Sequence, residues 1–183
     1  MNEDWLAAPI NVNARGAHVS RMISVDEARR LMEYSGRYMH SLAVGRIMAA
    51  LAEALEEDAG LWETVGVLHD LDYEQTREER ARHGVAAANV LEGRLPQGAL
   101  HAIASHDHRS GVEPESLLDH SLILADALAL LIAETDLRKP VSSWAFQMAL
   151  LKIAETKPWI RDRIAGYPYM DEVDLKSVLD AVL

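Results

Sequence analysis

Apolar residues recur at helical spacing along most of this chain. Val44, Ile47 and Leu51 follow one another at steps of three and four residues, and His40 lies four residues before the first of them. Such steps place the side chains on one face of an α-helix. Ala and Leu dominate the apolar composition, which favours helices, and no segment alternates apolar with polar residues as a half-buried strand does. The sequence therefore predicts an all-α protein.

Turn and capping signals divide this pattern into separate helices. Ser24 followed by Glu27 fits a capping box at the start of the first helix, and Pro96 suits a first helical position. We expect the further helices at about residues 37–57, 61–68, 83–92, 96–106 and 115–135, with two or three more in 140–183. The highly charged segment 72–82 is expected to be a solvated loop, and the stripe of Trp144, Met148 and Leu151 is expected to belong to the core.

Length and charge limit the organisation and the partners. The 183 residues suggest one domain, in which we expect an arm over 1–22, a core over 23–135 and helices over 136–183 packed on that core. The net charge of -11 argues against general nucleic-acid binding. The acidic N-terminus does not resemble a signal peptide, and the longest apolar run, 122–133, is too short to span a bilayer. We expect a cytoplasmic protein without membrane association, and the sequence leaves a homo-oligomer open.

Histidines and aspartates occur where burial is expected. His40, His83 and His106 fall on the apolar stripes of separate predicted helices, and His69-Asp70 ends another helix. A lone histidine on such a stripe is usually a hydrogen-bonded core residue, but here the pattern repeats. Imidazole and carboxylate groups are ligands for divalent metals, and the absence of cysteine excludes a thiolate site. We therefore favour a metal site over a hydrogen-bonded core network.

A single carboxylate interrupts the longest apolar run. Asp126 is the sole charge between Leu122 and Ala133, and burying an unpaired carboxylate is costly. The side chain must therefore be protonated, paired with a cation or bound to a metal. The run itself contributes no basic partner.

Other polar side chains carry weaker signals. His18, His101 and His120 are weaker candidates, and His101 and His120 are expected at the surface because they fall off the apolar faces. His108 lies in a polar loop where it could be solvated or face a substrate. The solvated segment 72–82 still contains arginines that could reach a phosphate, namely Arg77, Arg80 and Arg82.

The order of these residues resembles a known family. His40, then His69-Asp70, then Asp126 is similar to the H…HD…D signature of the HD-domain metal-dependent phosphohydrolase superfamily, over roughly residues 36–133. His83, followed by Gly84, and His106 resemble the second-metal ligands of its binuclear branch. The segment LHDLDYE, residues 68–74, also resembles a group of small predicted HD hydrolases.

The resemblance implies a helical bundle with a binuclear centre. His40, His69, Asp70 and Asp126 would hold one ion, and Asp70 would bridge to a second ion held by His83 and His106. The ions would be Fe, Mn, Co, Ni or Zn, and they would activate a water molecule and neutralise phosphoryl oxygens. The implied substrate is a nucleotide or another small phosphorylated metabolite.

Residues next to the ligands complete this picture. With Asp70 as a catalytic group, Asp107 is a candidate for proton transfer, and His108 and Arg109 are candidates for substrate contact. The chain departs from many relatives because Asp72-Tyr73-Glu74 occupies the stretch where they place a phosphate-binding lysine. Two alternatives stay open, namely a diiron oxygenase of the same fold and a non-catalytic module that senses a ligand.

Overall fold

Helices account for all the regular secondary structure in the computed structural model, which describes residues 21–183. No β-strand occurs in that range, so the all-α prediction is confirmed. The nine α-helices of this range are α1 (Val25–Met32), α2 (Tyr38–Ala54), α3 (Ala59–Leu68), α4 (Val85–Val90), α5 (Gln97–Ser105), α6 (Leu117–Glu134), α7 (Ser143–Thr156), α8 (Pro158–Ala165) and α9 (Leu175–Val182). The arm predicted up to residue 22, with His18, lies almost entirely outside the described residues.

Side-chain caps fix several helix starts. Ser24 accepts a hydrogen bond from the backbone N–H of Glu27 at 3.3 Å, which confirms the predicted start of α1. Asp58 accepts from the N–H of Leu61 at 3.0 Å, so α3 begins earlier than predicted. Pro96 precedes α5 instead of occupying its first position. These differences amount to a few residues at helix ends, where local capping decides the boundary.

Two long helices, α2 and α6, form the centre of the molecule. They pack on each other and both contact α3; α2 also contacts α1 and α9, and α6 also contacts α5, α7 and α8. The apolar faces of both central helices are fully buried, including Ile47, Leu51, Leu124 and Leu128. The C-terminal helices thus pack on the same core. No helix of residues 21–183 combines the length and the apolar character that crossing a bilayer requires.

Two glycines allow α2 and α3 to approach closely. A Cβ atom at Gly66 would lie 2.8 Å from Cα of Gly45 and 2.9 Å from Cγ of Met48. A Cβ atom at Gly45 would lie 2.6 Å from Val67 Cγ2. Side chains larger than hydrogen would push the helices apart. This contact brings the start of α2, with His40, to the end of α3.

One prediction about exposure holds only in part, and another is wrong. Within the segment 72–82, Asp72 and Thr76 are buried, and the Thr76 hydroxyl donates to the Asp72 carbonyl at 2.8 Å. The stripe on α7 is exposed, with 74% of Trp144 and 60% of Leu151 accessible. Helical periodicity shows that a face is apolar but not whether another element covers it.

Candidate metal centre

The carboxylate of Asp70 lies between two pairs of histidines. Its Oδ2 is 3.4 Å from Nε2 of His69 and 3.9 Å from Nε2 of His40. Its Oδ1 is 3.1 Å from Nε2 of His83 and 3.8 Å from Nε2 of His106. Asp70, His69, His83 and His106 are buried. Four imidazole rings thus point the same nitrogen at one carboxylate.

His69 and His106 are oriented by the helices that they terminate. His69 follows α3, and its Nδ1 lies 2.7 Å from the carbonyl oxygen of Gly66. His106 follows α5, and its Nδ1 lies 2.7 Å from the carbonyl oxygen of Ile103. A carbonyl accepts only, so each Nδ1 carries the proton and donates it. The Nε2 lone pair of each ring is therefore free to bind a metal.

His83 is oriented by a carboxylate that the sequence analysis assigned to a solvated loop. Its Nδ1 is 2.8 Å from Oδ1 of Asp72. The other oxygen of Asp72 accepts from the backbone N–H groups of Gly84 and Ala87, at 2.9 and 3.0 Å. Asp72 thus also binds the free N–H groups at the start of α4. The sequence did not indicate this role of Asp72, because the surrounding segment is highly charged and has no helical periodicity.

Asp126 obtains its cationic partner from α8. Its Oδ2 accepts from Nη1 of Arg163 at 2.9 Å, and its Oδ1 lies 3.0 Å from Nε2 of His40. The Arg163 guanidinium carbon lies 5.1 Å from the ring centroid of Trp159. This pairing leaves no local signal in the sequence, because Asp126 and Arg163 are 37 positions apart.

Burial and neighbouring charges shift the pKa values of the groups in this centre in opposite directions. Burial lowers the pKa of His69 to about 4, so this ring is neutral at pH 7. Burial opposes the ionisation of Asp70, but its histidine neighbours and Arg37 hold its pKa well below the usual range. Burial likewise opposes the protonation of His83, but Asp70 and Asp72 raise its pKa to about 9. The centre therefore combines neutral and cationic imidazoles with ionised carboxylates.

These donors fit divalent metal ions. One group, His40, His69 and Asp70, and another, Asp70, His83 and His106, each offer ligand atoms within 4.8 Å of one another. Nε2 of His40 is buried, and within residues 21–183 it has no aligned hydrogen-bond partner, although Asp126 is close. Imidazole nitrogen and carboxylate oxygen suit Zn, Fe, Mn, Co and Ni. The number and identity of the ions stay predictions.

The three residues after His106 lead from the buried centre to the surface. Asp107 is buried and binds the guanidinium of Arg109 through both oxygens, with Nε at 2.9 and 3.0 Å. Burial raises the pKa of Asp107, but Arg109 outweighs this effect and lowers it to about 2. The side chain of His108 is 82% exposed, with Nδ1 3.5 Å from Oδ1 of Asp107. The catalytic role of Asp107 and the substrate contacts of His108 and Arg109 stay predictions.

Arg37 is a further residue that the sequence analysis missed. It precedes α2, and its Nε donates to Oδ2 of Asp70 at 2.7 Å. Its guanidinium carbon lies 4.7 Å from the ring centroid of Tyr73. A guanidinium therefore contacts the oxygen of Asp70 that also faces His40 and His69. Its position at the predicted start of the second helix lies before the apolar stripe that begins at His40, so periodicity gave no signal for it.

Two histidines expected at the surface are partly buried. Nδ1 of His101 lies 2.8 Å from Oδ2 of the fully buried Asp119, and 37% of the His101 side chain is exposed. The His120 ring lies 6.0 Å from the ring of Tyr169. Neither belongs to the groups around Asp70.

The comparison with protein families agrees with the geometry. A family model described as HD domain matches residues 37–131, from the residue before α2 to near the end of α6. No solved structure matches the chain. The matched region covers more than half of the chain and contains all six candidate ligands, His40, His69, Asp70, His83, His106 and Asp126. The chain therefore belongs to the HD domain family.

Proposed function

We propose that this protein is a metal-dependent phosphohydrolase that acts on a nucleotide or another small phosphorylated metabolite. Its family suggests a superfamily of metal-dependent hydrolases. The observation that carries the proposal is that the two carboxylate oxygens of Asp70 face different pairs of histidines. Oδ2 faces His40 and His69, and Oδ1 faces His83 and His106. One carboxylate that serves two imidazole pairs suits a pair of ions that share a ligand.

The residues of this chain would have distinct roles in that reaction. When bound, two divalent ions lower the pKa of a water molecule and neutralise phosphoryl oxygens. His69 and His106 present fixed Nε2 lone pairs, because their Nδ1 protons are held by backbone carbonyls. The lowered pKa of Asp70 keeps its carboxylate ionised, which would suit a ligand shared by two ions. Asp107, also ionised, holds Arg109 at the rim, where a cation can contact an anionic substrate.

A paired measurement of metal content and hydrolysis tests this proposal. We expect purified protein loaded with Mn, Co, Ni, Zn or Fe to hydrolyse at least one member of a broad panel of phosphorylated metabolites. Asp70→Ala should lose both metal and activity, because each ion loses a ligand. Asp136→Asn is the control, since Asp136 is 91% exposed and its side-chain contact is a 3.8 Å pair with Lys152.

Three results would contradict the proposal. An Asp70→Ala protein with full metal content and turnover would make Asp70 structural. Oxygen-dependent turnover by an iron-loaded protein without hydrolysis would indicate an oxygenase. A metal-loaded protein that is inactive on the whole panel would favour a non-catalytic sensing module.

A further inference from the structure

Two arginines lie over the ring of Tyr73, and a third lies in a turn that packs against one of them. The guanidinium carbons of Arg80 and Arg37 are 4.2 and 4.7 Å from the centroid of its ring. Arg109 lies in the turn His108–Ser110, which packs against the turn that contains Arg80, and its guanidinium binds Asp107. The Tyr73 ring is itself 5.6 Å from the ring of His83. This arginine cluster, Arg37, Arg80 and Arg109, therefore borders the candidate metal centre.

The members of the arginine cluster differ in their partners. Arg37 is paired with Asp70, and Arg109 is paired with Asp107. For Arg80, no carboxylate lies within ion-pair distance among residues 21–183, and its buried Nη1 has no hydrogen-bond acceptor there. A covered charged donor without an acceptor is unfavourable. Within residues 21–183, Arg80 is therefore the member of the cluster without an anionic partner.

The neighbours of Arg80 show that its position is specific. Arg80 and Arg82 belong to one 3-10 turn, which packs against the turn His108–Ser110. The Arg82 side chain is 69% exposed and pairs with Glu79 at the surface, and Arg77 is also exposed. Of the three arginines that could reach a phosphate according to the sequence, the structure turns only Arg80 towards Tyr73.

We propose that Arg80, assisted by Arg37 and Arg109, binds phosphoryl oxygens of the substrate beside the metal centre. A guanidinium offers five N–H donors in a planar fork that matches phosphate geometry. Arg37 and Arg109 are balanced by carboxylates, so Arg80 supplies the unbalanced positive charge. Such a local cation is needed because the net charge of -11 repels anions at longer range. The substrate class in this inference depends on the proposed function, whereas anion binding itself does not.

Phosphate binding without turnover tests the inference directly. The probe is inorganic phosphate, titrated by calorimetry into full-length, chelator-treated protein at low ionic strength. We expect the wild type to bind phosphate and Arg80→Met to bind it at least tenfold more weakly. Arg82→Met is the matched control from the same turn and should bind as the wild type does. A wild type that binds no phosphate, or equal binding by Arg80→Met, would overturn the proposal.

Two further measurements separate binding from a packing role on Tyr73. Arg80→Lys keeps the charge and the aliphatic stem, so it should fold with an unchanged Tm and still lose several-fold in phosphate affinity. In the wild type, the Nε resonance of Arg80 should shift on addition of phosphate, while that of Arg82 should not. An unmoved Arg80 resonance at saturating phosphate would assign Arg80 to packing alone.

The outcome distinguishes this inference from the proposed function. If the loaded enzyme hydrolyses a phosphoester, Arg80→Met should raise KM at least tenfold and change kcat less. Hydrolysis with an unchanged KM and unchanged phosphate binding would refute the arginine subsite and leave the function standing. Arg80-dependent phosphate binding in a protein that hydrolyses nothing would support the subsite and refute the function.

Discussion

Asp72 binds His83 through a 2.8 Å hydrogen bond to Nδ1, while Nε2 of the same ring lies 3.1 Å from Asp70. Asp72 also binds the N–H groups of Gly84 and Ala87 at the start of α4. One side chain therefore secures a helix start and orients a candidate metal ligand. Loss of Asp72 should affect folding and metal binding together.

We expect Asp72→Ala to weaken metal binding at the group of Asp70, His83 and His106 by about 10–100-fold, as is usual for residues that orient metal ligands. The lost helix cap should also lower the free energy of unfolding by about 0.5–2 kcal/mol. Asp58→Ala is the control, because Asp58 caps α3 but has no contact with a candidate ligand. Elemental analysis and thermal denaturation of both variants check this. Equal metal affinity in the two variants would contradict an orienting role for Asp72.

His83→Ala and His106→Ala should each remove one ion selectively. Both rings face Oδ1 of Asp70, whereas His40 and His69 face Oδ2. We expect wild-type protein to hold about two ions and each variant about one, with activity reduced by orders of magnitude. His108→Ala should retain the wild-type metal content, since its side chain is 82% exposed. One ion per chain in all these proteins would indicate a mononuclear centre.

Arg163→Met should destabilise the metal-free protein more than the metal-loaded one. Arg163 balances the buried Asp126, so its removal leaves a carboxylate without its cation. We expect a loss of about 1–3 kcal/mol in unfolding free energy without metal, less than for a fully buried pair because Arg163 is partly exposed. A bound ion compensates the same carboxylate and should restore much of the loss. Identical losses with and without metal, in denaturant titrations, would place Asp126 outside the metal site.

The buried Asp119 should make stability depend on pH in the acid range. Burial raises its pKa, but hydrogen bonds from the N–H groups of Glu115 and Ser116 outweigh this and lower it below 3.8. A carboxylate with a lowered pKa stabilises the fold above its unfolded value, and this contribution is lost as pH falls through the folded value. Asp119→Asn should therefore cost about 1–2 kcal/mol at pH 7. In urea titrations the deficit should shrink below pH 3.8; a deficit that grows there would contradict the assignment.

Gly66→Ala should disturb the centre through helix packing. Its Cβ atom would lie 2.8 Å from Cα of Gly45, so α2 and α3 must separate. We expect a loss of about 1–3 kcal/mol and weaker binding of the ion between His40 and His69. Gly98→Ala in α5 is the control, since nothing lies within 4 Å of its added Cβ atom, and it should be neutral or stabilising by up to about 1 kcal/mol. Thermal denaturation and metal titration distinguish the two variants. Equal stability and equal metal affinity would contradict the close approach of α2 and α3 at Gly66.

Local patterns account for what the sequence could predict. The fold class and the start of α1 are confirmed because periodicity and capping depend on neighbours within one helix. The pairing of Asp126 with Arg163 and the exposed face with Trp144 could not be predicted. They depend on which helices pack together, which no spacing within one segment encodes.

His69 and His106 take their ring directions from carbonyls three residues earlier in their own helices. Each ring is therefore held in a fixed orientation relative to its own helix. The distance between Nε2 of His69 and Nε2 of His106 is then set by how α3 and α5 pack, and side-chain rotation changes it little. Core substitutions remote from the centre should consequently tune the distance between the two ligand groups, so metal preference becomes a property of the whole bundle.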